Sequence, residues 1–284
     1  MSRILIGMAA LGALLVAANP DYTESIQQWQ QERDKALRSD DSWLTLAGLF
    51  WLKPGDNTIG SADSNDFVLP KGSAPDRVGT IRLEGEKVSF TPLGGSSRTL
   101  SYTEEKPDVI HVGSVSFYVI KRGDKLGIRV KDSASAVRKN FTGLKYFPIN
   151  PSFDFEANFI PDPKKIPILN VLGHTELEES PGIVQFRYEG QLYSVRPIYE
   201  GDTLFFLFKD PTNKNTTYQA GRMLNTPLPV NGKVDLDFNR SYNPPCTFTP
   251  YATCPLPPRE NTLSFPVEAG EMRYGNGHAY YATP

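Results

Sequence analysis

The chain has 284 residues, of which 39% are hydrophobic and 11% aromatic, so it can bury one full core or two modest ones without a metal to hold the fold together. Its formal net charge is −2, and no block of Lys or Arg provides the basic surface that a phosphate backbone requires. The composition therefore argues against intrinsic disorder and against a nucleic-acid partner.

The first residues have the pattern of a secretory signal peptide, residues 1–18. Arg3 precedes an apolar run from Ile4 to Ala18, which is shorter than the roughly 20 residues of a membrane-spanning helix. The pattern predicts cleavage after Ala18 and a periplasmic or secreted mature protein, in which two cysteines can oxidise. The alternative is an uncleaved segment, through which alone the protein would meet a membrane.

The next segment, residues 19–42, contains a predicted helix over about residues 22–39. Asp21, with Glu24 three positions later, matches a capping box. Apolar groups and one Arg stem then recur at spacings of three and four along one stripe: Ile26, Trp29, Arg33 and Leu37. This stripe is expected to pack through Trp29 against the rest of the protein.

From Trp43 onward the hydrophobic period changes to two, with turn residues roughly every ten positions. The predicted fold is mainly β: two antiparallel β-sandwich or barrel halves, residues 43–140 and 141–284, preceded by the one N-terminal α-helix. The segment 133–165, rich in Pro and aromatic residues, is interpreted as the passage between them. The candidate strands are 43–52, 66–70, 78–85, 87–93, 98–103, 114–122, 125–132, 166–173, 182–199 with an internal turn, 202–210, 220–226 and 232–239.

Standard catalytic motifs are missing from the sequence, which has no nucleophile elbow, no HExxH zinc motif, no P-loop and no dinucleotide-binding fingerprint. His111 alternates within a strand-like run and is interpreted as structural. His174 and His278 lie in polar and Gly-rich segments, where a catalytic role stays open. No cofactor is predicted.

A long polar loop between two candidate strands, FKDPTNKNTTYQAGRML, carries Asp210, Tyr218 and Arg222. A rigid β scaffold commonly displays its site on such a loop. The planar guanidinium of Arg222 can grip a carboxylate or phosphate, and the alternative is a structural ion pair with Asp210 or Asp237.

The run DLDFN places Asp235, Asp237 and Asn239 at alternate positions, which predicts one strand face. The spacing is that of the start of an EF-hand loop. However, Arg240 stands where that loop needs Gly, and Cys246 where it needs Glu, so no metal site is predicted.

The two cysteines, Cys246 and Cys254, enclose the run TFTPYAT. A metal site would need further ligands at short spacing, and a reactive thiol would need a neighbouring cation or helix start. The even count in an exported chain predicts a disulfide, which would stabilise the fold by roughly 2 to 3 kcal/mol. Six prolines in the stretch 237–260 restrict its backbone further.

The same stretch, with FKDPTNKNTTYQAGRML before it, resembles an uncharacterised bacterial and archaeal family, domain-of-unknown-function family 1684. The motifs are DFNRSYNPPC and YATCPLPP, and the similarity runs from about Trp43 to Glu271. The resemblance implies that this loop belongs to the family's core, and it implies no activity. A weaker similarity links TIGSADSNDFVLP and RVGTIRLEG to the opening strands of forkhead-associated domains. Ser61 replaces the Arg that binds phosphothreonine there, so only the fold is implied.

Three functions are consistent with these residues. The first is binding of a small polar ligand or glycan, with flat faces and directed hydrogen bonds from Asp210, Tyr218, Arg222, Asp237, Asn239, Arg240, Tyr242, Asn243, Phe248 and Tyr251. The second is a hydrolase that uses Asp210 or Asp237 as general base and Arg222 as anion stabiliser. The third is a structural envelope protein. An open pocket would favour an enzyme, a shallow aromatic groove would favour a glycan, and mutual burial would favour the structural role.

Overall fold

The structure, a computed structural model, describes residues 20–103 and 106–275. The predicted signal segment and His278 lie outside the described residues. As predicted, the fold is mainly β, with antiparallel sheets and one main helix near the N-terminus.

The helices are α1 (Pro20–Leu37) and the short α2 (Ala136–Lys139). The strands are β1 (Leu46–Trp51), β2 (Gly55–Gly60), β3 (Phe67–Val68), β4 (Gly79–Glu84), β5 (Lys87–Pro92), β6 (Arg98–Thr99), β7 (Ile110–Val112), β8 (Val115–Arg122), β9 (Lys125–Asp132), β10 (Asp154–Leu169), β11 (Thr175–Tyr188), β12 (Gln191–Val195), β13 (Ile198–Glu200), β14 (Thr203–Phe208), β15 (Arg222–Pro227) and β16 (Lys233–Asp237). Single 3-10 turns lie at Trp43–Thr45, Pro151–Phe153, Pro211–Lys214, Phe238–Arg240, Pro245–Thr247 and Arg259–Asn261.

The N-terminal strands form two sheets around one apolar core. Their strand orders are β1-β9-β8-β7 and β3-β2-β4-β5-β6. Side chains alternate between the core and the outer face, as a period of two requires: Phe117 and Ile128 are fully buried, whereas Tyr118 and Arg129, which lie opposite each other in β8 and β9, are only partly buried. The outer face of β8 and β9 is therefore available to another part of the chain.

The C-terminal strands form a second core under the sheets β12-β11-β10-β16 and β13-β14-β15. Much of the segment interpreted as a passage is in fact β10, a strand of 16 residues. Its prolines lie beyond Asn158, where the pairing with β16 ends and β10 pairs only with β11. A strand edge that has no neighbouring strand tolerates proline, because no partner there needs its N–H group. The pairing of β10 with β11 also shifts register between Pro161 and Lys164, at a second proline.

Helix α1 packs on the C-terminal half, as its apolar stripe predicts. Ile26 and Leu37 are buried, and the ring of Trp29 meets that of Tyr146 edge to face at 6.2 Å. Farther along the same stripe, Arg33 reaches into the C-terminal half. None of the helices within the described residues is long and apolar enough to cross a bilayer. The exact division into domains stays a prediction.

Candidate functional site

The loop between β14 and β15 is folded inward around an ion pair. Arg222 Nη2 donates to Asp210 Oδ2 at 3.0 Å, and neither side chain is exposed to solvent. Asp210 also caps the following 3-10 turn, since its Oδ1 accepts from the backbone N–H of Thr212 at 2.9 Å and of Val267 at 3.1 Å. Arg222 donates to the carbonyls of Val267 and Ala269. Burial lowers the pKa of Arg222, and the charge of Asp210 opposes that shift.

This ion pair therefore serves the protein itself. It clamps the segment around Val267 against the β14–β15 loop, and the cavity beside Arg222 and Tyr218 measures only about 10 Å³. Such a space holds about one water molecule and no ligand. The sequence left open whether Arg222 would pair with Asp210 or with Asp237, and the structure pairs it with Asp210.

A second polar group surrounds the end of β16. Asp237 is the last residue of that strand, so Asn239 lies in the following 3-10 turn, and the expectation of one strand face is wrong. Asp237 Oδ1 accepts from the hydroxyl of Tyr22 at 3.0 Å and from the N–H of Asn239 at 2.9 Å. Asn239 exchanges two hydrogen bonds of 2.9 Å with the backbone of Asn150. These bonds fasten α1 and the start of β10 to the C-terminal segment.

The remaining predicted residues lie in different surroundings. Arg240 is partly exposed, and its Nε lies 3.4 Å from Asp237 Oδ2. Tyr251 is 38% exposed. Asn243 is buried, with its N–H donating to Glu271 Oε2 at 2.7 Å. Six of the eight predicted site residues are thus buried in an internal network: Asp210, Tyr218, Arg222, Asp237, Asn239 and Asn243. By the criterion stated above, their placement favours a structural role for this set.

The two cysteines form a disulfide, with Cα atoms 6.2 Å apart, as the spacing and even count predict. The loop that it closes packs against the N-terminal sheets rather than facing solvent. Thr249 donates from its hydroxyl to the carbonyl of Leu46 at 3.2 Å. The disulfide loop therefore joins the two halves of the molecule.

An open cleft of about 290 Å³ lies where this loop meets the outer face of β8 and β9. Its key contact is the hydroxyl oxygen of Thr253, which accepts from Arg122 Nε at 3.1 Å and from Arg129 Nη2 at 3.0 Å. Aromatic and apolar side chains form the walls, together with polar ones: Trp43, Leu46, Tyr118, Lys131, Glu200, Phe205, Met223, Tyr242 and Ala252.

Arg129 has an unusual electrostatic environment. Its Nε is buried without a hydrogen-bond partner, and no carboxylate lies within ion-pair distance of it among the described residues. Burial lowers the pKa of Arg129, and the charge of Arg122 lowers it further, while Tyr118 opposes the shift. Lys131 adds a third cation to this wall, although it is paired with the exposed Asp41.

The C-terminal strands contribute one carboxylate to the cleft, Glu200, which is held by neutral groups. Glu200 Oε2 accepts from Asn225 Nδ2 at 2.6 Å, and Asn225 Oδ1 in turn accepts from the hydroxyl of Tyr242. Burial raises the pKa of Tyr242, and the charge of Glu200 adds to the shift, so this phenol stays protonated and donating. The chain of bonds fixes the Glu200 side chain in one orientation.

The sequence interpretation missed these residues for a specific reason. The alternation in KLGIRVKD does place Arg129 and Lys131 on the outer face of a strand, and this signal was available. It does not tell which part of the chain covers that face, because Thr253 follows Arg129 by 124 positions.

The other chemical alternatives can be placed as well. Neither His111 nor His174 lines the cleft. Nowhere in residues 20–103 and 106–275 do three His, Cys, Asp or Glu side chains group as a metal site requires. The hydrolase alternative has its carboxylates, Asp210 and Asp237, engaged inside the protein and away from the cleft.

Comparisons with known proteins identify relatives without an assigned activity. A solution NMR structure of an uncharacterized protein from Haloarcula marismortui is 29% identical, with 48% of this chain and 78% of that chain covered and a TM-score of 0.40. The search of curated proteins found no match. The weaker forkhead-associated resemblance is not confirmed. The family model described as "Protein of unknown function (DUF1684)" matches residues 139–272, a segment that starts well after Trp43. The match over residues 139–272 agrees with the resemblance that the Pro-rich motifs indicated.

Proposed function

We propose that this chain is an exported protein that binds a small anionic ligand in the cleft between the disulfide loop and the outer face of β8 and β9. The observation that carries the proposal is the convergence of two guanidinium groups, Arg122 and Arg129, on the single neutral oxygen of Thr253. Arg129 has no carboxylate within ion-pair distance among the described residues, so an anion placed beside it would supply the missing countercharge.

Three other arginines with largely buried side chains each face a carboxylate. The pairs are Arg33 with Glu271, Arg196 with Asp162 and Arg222 with Asp210. Arg129 has no such partner among the described residues, and its Nε donor is unused. A guanidinium fork binds the two oxygens of a carboxylate or phosphate side by side, so an incoming anion can use this donor.

The hydroxyl of Thr253 also fits an anion site. Its oxygen accepts two hydrogen bonds from cations, and within the described residues its own hydrogen has no acceptor. A hydroxyl polarised by two guanidinium groups is a strong donor toward a negatively charged oxygen. Thr253 is fixed by its neighbour Cys254, whose disulfide holds the loop in one shape, so little ordering entropy is lost on binding.

The size and lining of the cleft limit the ligand to a small molecule. Its volume of about 290 Å³ lies just below the range of roughly 300 to 1,000 Å³ for ligand pockets. Aromatic rings line the cleft, and although the Arg33 guanidinium lies 4.8 Å from the ring centroids of Trp43 and Tyr242, Tyr118 adds a third ring, so an acidic sugar belongs to the same ligand class. Export is supported by the signal-type N-terminal sequence and by the disulfide, which persists in oxidising compartments.

The experiment is a thermal-shift titration with glucuronate, inorganic phosphate and the neutral sugar glucose. A ligand that binds only the folded state raises the free energy of unfolding, by about 2.7 kcal/mol when its concentration is a hundred times Kd. The melting temperature rises as a result. We expect a shift with the anions and none with glucose. In Arg129→Gln the shift should disappear, whereas it should persist in the matched control Arg82→Gln, whose side chain is 51% exposed on another sheet. Equal shifts in both variants, or no shift with either anion, would contradict the proposal.

A further inference from the structure

We infer that the natural ligand of this cleft is a zwitterion, a small molecule that carries a protonated amine as well as an anionic group. This inference rests on the proposed function. The anionic group binds Arg129, and the amine binds Glu200. Both side chains line the same cleft.

The first argument is that Glu200 is the counterpart of Arg129. No Lys, Arg or His lies within the 4.0 Å of an ion pair from its carboxylate among the described residues. Its one hydrogen-bond donor there is the neutral amide of Asn225. The cleft thus holds one unpaired cation and one unpaired anion that are too far apart to neutralise each other. A ligand with both charges neutralises both walls at once.

The second argument is that Glu200 is held ready to bind. It lies at the end of β13, directly opposite Thr203 in the tight turn that leads to β14. Asn225 Nδ2 donates to Glu200 Oε2, and the hydroxyl of Tyr242 donates to Asn225 Oδ1, which fixes the amide. Oε1 stays available to a donor from solvent or from a ligand. A carboxylate whose rotamer is already fixed loses little entropy when it accepts an ammonium group.

The third argument is that negative charge continues beyond Glu200. A second space of about 390 Å³ adjoins the cleft and shares Arg122, Glu200, Phe205 and Thr253 with it. Its lining adds the carboxylate of Glu176. A ligand that runs from Arg129 past Glu200 would bring its amine toward this further carboxylate, which favours the same orientation.

The experiment compares zwitterions with ligands that lack one of the charges. The probes are glycine, 4-aminobutyrate and 6-aminohexanoate, which differ in charge separation, together with butyrate, hexanoate and butylamine, measured by titration calorimetry on the mature chain. We expect one zwitterion to bind at least about tenfold more tightly than the carboxylate of the same length, as one charge-assisted hydrogen bond would give.

Two variants assign that advantage to its residue. In Glu200→Gln the zwitterion should fall to the affinity of the matched carboxylate, while carboxylate binding stays unchanged. Glu268→Gln, an exposed carboxylate that does not line the cleft, is the matched control and should keep the advantage. Because Glu200 is itself exposed, the folded state of both variants is expected to be intact, which circular dichroism verifies.

The outcomes separate this inference from the function on which it rests. If carboxylates bind through Arg129 and no zwitterion binds more tightly, the inference is wrong and the anion-binding function stands. If the advantage survives in Glu200→Gln, the amine is bound elsewhere, and the assignment to Glu200 is overturned. If neither carboxylates nor zwitterions bind, both proposals fail.

Discussion

The strongest test of the internal network is the substitution Asp210→Asn. The carboxylate of Asp210 accepts two backbone N–H groups and the guanidinium of Arg222, and both side chains are fully buried. The asparagine has the same shape but removes the charge, so Arg222 keeps its acceptors, the carbonyls of Val267 and Ala269, and loses its carboxylate partner. Breaking a buried ion pair in this way costs about 3 to 5 kcal/mol, because one charge is left buried and uncompensated.

The assay is urea denaturation followed by fluorescence, with the free energy of unfolding extrapolated to water. The matched control is Asp56→Asn, which breaks an Asp–Arg pair of similar length, 3.1 Å to Arg82, whose side chains are 57% and 51% exposed. Exposed pairs contribute about 0 to 1 kcal/mol, so this control should be nearly neutral. A loss below about 1 kcal/mol for Asp210→Asn, equal to that of the control, would refute the assignment of a structural role.

The double variant Asp210→Asn with Arg222→Met identifies the cause of the loss. If the uncompensated charge of Arg222 is responsible, removing it should recover part of the stability, since buried pairs can be replaced by apolar groups at little cost. If the losses of the two single variants simply add, the uncompensated charge of Arg222 is not the cause of the loss in Asp210→Asn.

Two further predictions concern the disulfide and a titrating carboxyl. Reducing the Cys246–Cys254 disulfide should lower the free energy of unfolding by about 2 to 3 kcal/mol in urea denaturation. It should also weaken anion binding, because Thr253 is no longer fixed. Unchanged anion affinity in the reduced protein would contradict the positioning role of the loop. Burial, followed by the charge of Asp237, raises the pKa of Asp154 from 3.8 to about 7, so the folded state holds an extra proton between these values and its stability falls as pH rises through that window. Asp154→Asn should therefore be more stable than the wild type at pH about 8, by no more than about 1 kcal/mol because the side chain is partly exposed, and equal to it at pH about 4. A pH-independent difference in the urea midpoints would count against the raised pKa.

Local periodicity was sufficient to predict most of the framework. The stripe of α1 and the alternation of β8 and β9 reflect which side chains meet a core, and that requirement is visible in the sequence. The Pro-rich β10 shows where such signals stop: its prolines favour turns locally, and only the position of the strand at a sheet edge makes them compatible with pairing.

The candidate site was harder to predict, because polar residues in a loop look alike whether they face a ligand or one another. The sequence indicated that Asp210 and Arg222 could form an ion pair. In the structure both side chains are buried and bind each other, so neither is available to a ligand. The cleft depends on a contact between Arg129 and Thr253, which are distant in sequence. No local pattern records that contact, since it arises from the packing of the disulfide loop on the N-terminal sheet.

The internal network and the open cleft meet at β15. Met223, which follows the buried Arg222, lines the cleft, its backbone pairs with that of Tyr242, and the disulfide holds the loop that carries Thr253. The matched family segment, residues 139–272, contains this side of the cleft, including Glu200 and Thr253, whereas Arg129 lies outside it. That segment therefore supplies the rigid acceptor side, and the N-terminal sheet supplies the cations. If the cleft binds an anion as proposed, a protein that shared only residues 139–272 would need another source of positive charge, because Arg129 lies outside that segment.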